Sequence, residues 1–401
     1  MKILVLSQYF WPENFTINQL SKTLSSKGND VEVLTGKPNY PDGKIYNGYK
    51  IFRNFNTKWD DLKVFRLPII PRRKATSLNL FVNYLSFVFS GLAIMPFFAW
   101  KKKYDVILVY APSPITQAIP AIFLGFLTKA PVILWTQDLW PESIIATNHI
   151  KSSFIIKSIV IIVKFIYSKV DLVLVPSKGF IKPVSKYIAL NQIVYYPNSV
   201  NNIFNKKIIS TNKEKHGVFN ILFAGNIGVA QSIETIIKSA ILLTTHPYIQ
   251  FTIVGSGSKK KWLKSQIKKY RLKNIKVMDQ KLEEKMPDLM NKASALLITL
   301  KADPVFKLTI PNKLQSYLAV GKPIIGSLEG YAANIINESG AGLICKPEDS
   351  VGLSKVILDL SSQTDAKLSQ MSKNGRRYFK KHFDHDMLAD KLILIMSQLV
   401  K

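Results

Sequence analysis

Residues 307–323, KLTIPNKLQSYLAVGKP, gather residue types suited to holding a phosphorylated ligand. Pro311 and Asn312 suit a helix entry, Leu314, Tyr317 and Leu318 recur at helical spacing, and Gly321 suits a stop, so a helix is predicted from about Asn312. A helix start offers free backbone N–H groups and the positive end of the dipole. Lys313 and Lys307 add charge there, and Gln315 and Ser316 add neutral hydrogen-bonding groups. The bland alternative is that Pro and Gly merely punctuate an ordinary αβ unit.

Two glycine turns point to the same chemistry. Residues 222–240 read as strand, turn and helix, with Gly225 and Gly228 leaving bare backbone beside the polar Asn226 and Gln231. Residues 254–259, VGSGSK, place Gly255 and Gly257 after another strand, and tight strand-to-helix packing would explain both turns as well. A dinucleotide fingerprint needs a third Gly where Lys260 stands, which disfavours NAD. In the first half of the chain, QYFWPENF (8–15) and WTQDLWPES (135–143) each follow a strand-like run and share Trp-Pro-Glu. Open α/β sheets bind ligands at strand carboxyl ends, so Asp138 is the first candidate for a functional carboxylate and Glu13 the second, although either could cap a helix or hold a loop. The turn at 39–43 is expected to border the same region. Asp384 and Asp386 have metal-ligand spacing but directly precede the C-terminal helix, where capping explains them, and no metal is expected.

The elements that must position these residues are legible as two alternating series. Short apolar runs at 2–6, 31–35, 64–67, 106–110, 132–136 and 171–175 are separated by segments of helical period, and a second series runs through 220–224, 250–254, 275–278, 295–299, 323–327 and 342–345. The expected fold class is α/β, with two doubly wound, Rossmann-like domains. The Pro- and Asn-rich stretch 195–204 separates them, giving domains 1–198 and 199–384, with the helix 385–401 packing back on the first.

Composition narrows the partners. The chain has 401 residues, 47% of them hydrophobic, with a net charge of +29 and a pI near 9.9. An anionic partner follows: a polyphosphate substrate or anionic lipid rather than nucleic acid, since no arginine-rich arm or nucleic-acid motif is present. The lone Cys345 fits a reduced compartment, and the brief apolar run at the N-terminus reads as a first strand rather than a signal peptide. Residues 78–100 are apolar over a membrane-spanning length, between Arg72, Arg73, Lys74 and Lys101, Lys102, Lys103. Asn79, Asn83, Ser86 and Ser90 draw one polar stripe along this helix, so it is expected to lie in a membrane surface with that stripe inward; the alternative is a buried crossover helix. For residues 154–167 a core helix and a membrane-surface helix both remain open.

The ending Gly321-Lys322-Pro323, the hinge residues Pro197, Asn198, Val200 and Phe204, and the pattern Gly225-Asn226-x-Gly228-x-x-Gln231 together resemble the retaining GT-B glycosyltransferases of family 4. Within that family the chain is similar to O-antigen and capsule enzymes such as the L-fucosamine and colanic-acid transferases. It departs at Leu308 and Ser316, where the family has paired Glu residues, at Asn226 and Gln231, where Arg and Lys are common, and at Ser199 and Asn201 in the hinge. The resemblance implies two domains facing across a cleft. A UDP-sugar would sit on Gly225, Asn226, Gly228, Gln231, Gly255, Gly257, Lys307, Pro311, Asn312, Gln315 and Ser316. The acceptor, a polyprenyl-diphosphate-linked saccharide, would meet Tyr9, Phe10, Asn14, Tyr40 and Trp140, with Asp138, Glu13 and Lys313 catalytic. It further implies transfer of a sugar such as N-acetyl-L-fucosamine in O-antigen or capsule synthesis, without metal or other cofactor, by a peripheral, monotopic protein on the cytoplasmic face of the cell membrane. A UDP-sugar 2-epimerase of the same fold and a nonenzymatic sugar-nucleotide-binding or scaffold protein are the rival readings.

Overall fold

The computed structural model describes residues 1–400 except 54, 75, 147–151, 201 and 206–216; Asn201 of the expected hinge therefore lies outside the described residues. The chain divides into two units, the first formed by Met1–Pro197 with His385–Lys401 and the second by Asn198–Asp384.

In the first unit β1 (Lys2–Leu6), β2 (Asp30–Gly36), β3 (Asn56–Trp59), β4 (Leu62–Leu67), β5 (Val106–Ala111), β6 (Val132–Thr136), β7 (Leu172–Val175) and β8 (Ile193–Tyr195) form one sheet in the order β3-β4-β2-β1-β5-β6-β7-β8. Every pairing is parallel except β3 on β4. β5, VILVYA, is buried at every position, as a strand covered on both faces must be. On one face Ile3, Val5, Val31, Val33, Leu108 and Ile133 pack with Leu20 and Leu24 of the helix Thr16–Ser26 and with Leu388, Leu392 and Met396 of the C-terminal helix His385–Leu399. Polar contacts pin that last helix: His385 Nε2 lies 2.8 Å from Thr23 Oγ1, and the Tyr196 hydroxyl donates to the Leu388 carbonyl at 2.9 Å. The other face carries the helices Ser77–Lys101, Ala118–Thr128 and Ser153–Ser168, the side required by right-handed crossovers running from β4 to β7.

The second unit is a six-stranded parallel sheet of β9 (Phe219–Ala224), β10 (Ile249–Val254), β11 (Ile275–Met278), β12 (Ala295–Thr299), β13 (Ile324–Ser327) and β14 (Gly342–Cys345), in the order β11-β10-β9-β12-β13-β14. The chain winds outward from β9 to β11, then returns to β12 and winds the other way. The topological switch point thus lies between β9 and β12, as it lies between β1 and β5 in the first unit. Apolar clusters on both faces of the sheet form its core.

Candidate active site

In the second unit the loops at the switch point interlock. Gly225 (φ +134°) ends β9 and Gly255 (φ +156°) ends β10; a Cβ on Gly255 would stand 1.9 Å from the Gly225 carbonyl oxygen, so only glycine permits this approach. Ile227 N–H donates to the Ser256 carbonyl at 2.7 Å and Lys259 N–H to the Ile227 carbonyl at 2.9 Å, which locks the two turns together. Asn226 and Gln231 face each other across Gly228 at a long 3.5 Å, and Ser256 Oγ donates to Gln280 Oε1 at 2.7 Å.

The helix Asn312–Val320 begins beside these turns, with Pro311 at its N-cap, no side-chain cap, and Gly321 in the left-handed conformation closing it at φ +69°. The Leu314 N–H donates to the Pro311 carbonyl at 2.8 Å, which leaves those of Asn312 and Lys313 for a ligand. Tyr317 fixes the helix to the sheet by accepting the Ala224 N–H at 3.0 Å, and Asn198 Nδ2 donates to Asn312 Oδ1 at 2.7 Å. Lys313 is the singular residue. Its Nζ is sealed from solvent, has no hydrogen-bond partner among the described residues, lies 3.9 Å from the centre of the Phe223 ring, and would meet a Cβ on Gly225 at 3.2 Å. Burial pulls its pKa down to about 7.

Other donor candidates fall differently. Lys307 pairs with Glu329 at 3.1 Å, a compensated surface ion pair rather than a free charge. Gln315 is buried, and its amide turns back to donate to the Pro311 and Asn312 carbonyls at 2.9 Å, so it braces the loop instead of facing a ribose. Ser316 lies part-exposed within the helix, between the buried Gln315 and Tyr317.

The first unit gathers its candidates at the carboxyl ends of β1, β2, β4, β5 and β6. Tyr9 stacks on Phe15 with ring centres 5.3 Å apart, and Tyr40 leans on both. The Arg72 guanidinium sits 5.0 Å from the Tyr40 ring and 5.8 Å from that of Tyr9, and the Arg72 N–H donates to Asn39 Oδ1 at 3.0 Å. Asp138 Oδ2 accepts from Ser113 Oγ at 2.7 Å, and Ser113 in turn accepts from Trp140 Nε1 at 2.9 Å, a relay that holds the carboxylate in place. Glu13 is a different kind of carboxylate. It is fully buried, and its Oε1 accepts the N–H groups of Asn39 and Tyr40, each at 2.7 Å, while Oε2 accepts that of Phe10 at 3.3 Å. Burial raises its pKa to about 7 against the lowering effect of those N–H groups. Its geometry is that of a loop anchor. Phe10 is core, edge-on to Trp59 at 5.4 Å, and Asn14 is exposed.

Sequence reasoning missed Ser113, which no local pattern marks, and it assigned Arg72 to lipid contact because its run of cations hides the aromatic pair that receives it. Phe223, whose ring receives Lys313, and Tyr317, which ties the helix to β9, read simply as apolar strand and helix positions. Among the described residues no group of three or more His, Cys, Asp or Glu is placed to hold a metal ion.

Residues 204–378 match the model of the family "Glycosyl transferases group 1". The chain is 25% identical over 362 residues to a protein of Escherichia coli K12 described as a colanic acid biosynthesis glycosyl transferase, WcaI, covering 82% of this chain and 84% of that one. It is 26% identical over 347 residues to a protein of Pseudomonas aeruginosa described as glycosyltransferase WbjE, covering 79% and 82% respectively. In architecture it is similar to Anabaena HepE, crystallised with UDP, with a TM-score of 0.71 over 99% of this chain and 100% of that one at 14% identity. With two Rossmann-like sheets of this topology, the chain has the GT-B fold and is similar to the group 1 glycosyltransferases, over residues 204–378 by the family model and over most of its length by these relatives.

Proposed function

We propose that this protein transfers a sugar from a UDP-sugar to a polyprenyl-diphosphate-linked saccharide during surface-polysaccharide assembly, on the cytoplasmic face of the cell membrane. The observation that carries the reading is Lys313, a buried cation without a hydrogen-bond partner, set against the bare backbone of Gly225 at an uncapped helix start. A buried ammonium left in this condition is costly, and a diphosphate supplies the missing partner. As the sugar–phosphate bond breaks, negative charge grows on the leaving phosphate. The Lys313 side chain and the N–H groups of Asn312 and Lys313 at the helix start are preorganised to stabilise it, which is where catalysis gains most. The leaving phosphate then helps to take the acceptor proton, and the configuration at the transferred carbon is retained.

Asp138 orients the acceptor hydroxyl, held in place by Ser113 and Trp140, and Tyr40 and Arg72, backed by the buried Tyr9, form an aromatic and cationic wall for the acceptor's sugar and diphosphate. The relatives' descriptions support polysaccharide assembly, and the resemblance to the L-fucosamine transferases favours an N-acetylated deoxyhexosamine as the sugar. The test is to incubate purified protein with UDP-sugars alone and with a lipid-linked acceptor. Release of UDP only when acceptor is present supports transfer, a 2-epimerised sugar without acceptor would establish the epimerase instead, and binding without any turnover would leave a scaffold.

A further inference from the structure

The helices Ser77–Lys101, Ala118–Thr128 and Ser153–Ser168 lie side by side on one face of the first unit's sheet. The first two are seated tightly, since a Cβ on Gly91 would meet Pro120 at 2.5 Å. The inner side of Ser77–Lys101 is polar where it meets the chain after β4. Asn83 donates to the Ile70 carbonyl at 2.6 Å, Ser90 to the Pro68 carbonyl at 2.6 Å, and Ser86 accepts the Ile70 N–H at 2.9 Å. The outer side is apolar. Phe89 is 63% exposed and Trp100 81% on the first helix, Phe126 69% on the second, and Phe154 80% and Ile161 69% on the third, with Leu78, Phe81, Phe97, Ile155 and Phe165 also exposed. A water-soluble surface rarely leaves so many large apolar side chains contiguous without a partner.

The charge around this face has one sign. None of the three helices contains Asp or Glu. Asp105 and Asp171, beyond their ends, accept the backbone N–H groups of Lys2 and Val132. Lys101 reaches over Phe97 at 4.9 Å, Lys129 over Phe126 at 5.1 Å, and Lys157 and Lys164 stand exposed on the third helix. Apolar side chains bordered by lysines whose stems lie along them are suited to a headgroup layer. A second copy of the chain would instead oppose lysine to lysine. Lys102 does not contribute, because Glu32 and the Phe65 ring hold it.

We propose that this three-helix face docks on a bilayer containing anionic phospholipid, with the helix axes in the plane of the interface. Ser77–Lys101 is long and apolar enough to span a membrane, but as the crossover from β4 to β5 within one sheet it is fastened along its length and cannot leave the layer. The inference does not rest on the transfer reaction, and UDP binding serves as an independent control.

The experiment is co-sedimentation of the full chain with phosphatidylethanolamine–phosphatidylglycerol vesicles and with phosphatidylcholine vesicles, at low and high salt, alongside light scattering of the protein alone. Binding to the anionic vesicles, weakened by salt, is expected. The triple variant Phe89→Ser, Phe126→Ser, Ile161→Ser should lower the bound fraction about tenfold or more with unchanged melting temperature and UDP affinity, because all three side chains are already exposed. Lys101→Gln, Lys129→Gln, Lys164→Gln should weaken binding and reduce its salt dependence. Wild-type protein that stays in solution with both vesicle types, a serine variant that sediments like wild type, or a dimer dissolved by the serine variant would each overturn the proposal.

Discussion

Lys313 gives the sharpest predictions at the scale of single residues. Removing a charge-assisted contact to phosphate costs about 1.5–3 kcal/mol, so Lys313→Met should weaken UDP binding roughly ten- to hundredfold in calorimetry. The same substitution removes a buried cation without a hydrogen-bond partner, so the ligand-free protein should melt no lower than wild type, an outcome a merely structural lysine would not give. With its pKa near 7, Lys313 is mostly neutral at pH 8 in the free protein, and a diphosphate beside it restores the charge. UDP binding at pH 8 should therefore take up protons, measured as a dependence of the binding enthalpy on the buffer's ionisation enthalpy, and Lys313→Met should abolish that dependence. Because cationic and dipolar groups carry the phosphate, EDTA should leave turnover unchanged.

Glu13 has the opposite linkage. Its folded pKa near 7 lies above the ordinary 4.5, so the folded chain holds a proton that the unfolded chain releases between those values. That contribution to stability is fully present below about pH 4.5 and is lost as pH rises through 7. Glu13→Gln, which keeps an oxygen for the Asn39 and Tyr40 N–H groups, should flatten this part of the melting-temperature profile.

At the scale of elements, the interlock of the turns after β9 and β10 sets what the site tolerates. Gly255→Ala forces a Cβ against the Gly225 carbonyl and should destabilise the protein by more than about 2 kcal/mol in denaturant titration while impairing UDP binding, because backbone has no rotamer with which to yield. The glycines and the Asn312 helix start were legible in the sequence because they are local devices, glycine where backbone comes close and Pro at a helix entry. The parallel strands were legible because burial on both faces leaves continuous Val, Ile and Leu runs. β3 was not: NTKW is polar and short, and only antiparallel pairing with β4 makes it a strand. The fates of Glu13, Gln315, Arg72 and Lys102 were equally hidden, since each is decided by partners that the fold brings from elsewhere in the chain, and a charged residue reads alike whether it meets solvent, an aromatic ring or an opposite charge.

At the scale of the whole molecule, the first unit is closed by the last residues of the chain. Leu388, Leu392 and Met396 cover Leu20 and Leu24, so deletion of 385–401 uncovers a core face. That deletion should lower the first unit's melting transition and speed its proteolysis, while UDP binding by the second unit, which contains Lys313 and both glycine turns, is retained. The return of the chain also dictates an order of events during synthesis. The first unit's strands emerge first but must wait for Asn198–Asp384 to be translated before their final helix exists, roughly 10 to 40 s at elongation rates of about 5–20 residues per second. The second unit can therefore complete itself on the ribosome, whereas the unit with the apolar three-helix face matures only once residues 385–399 have been made.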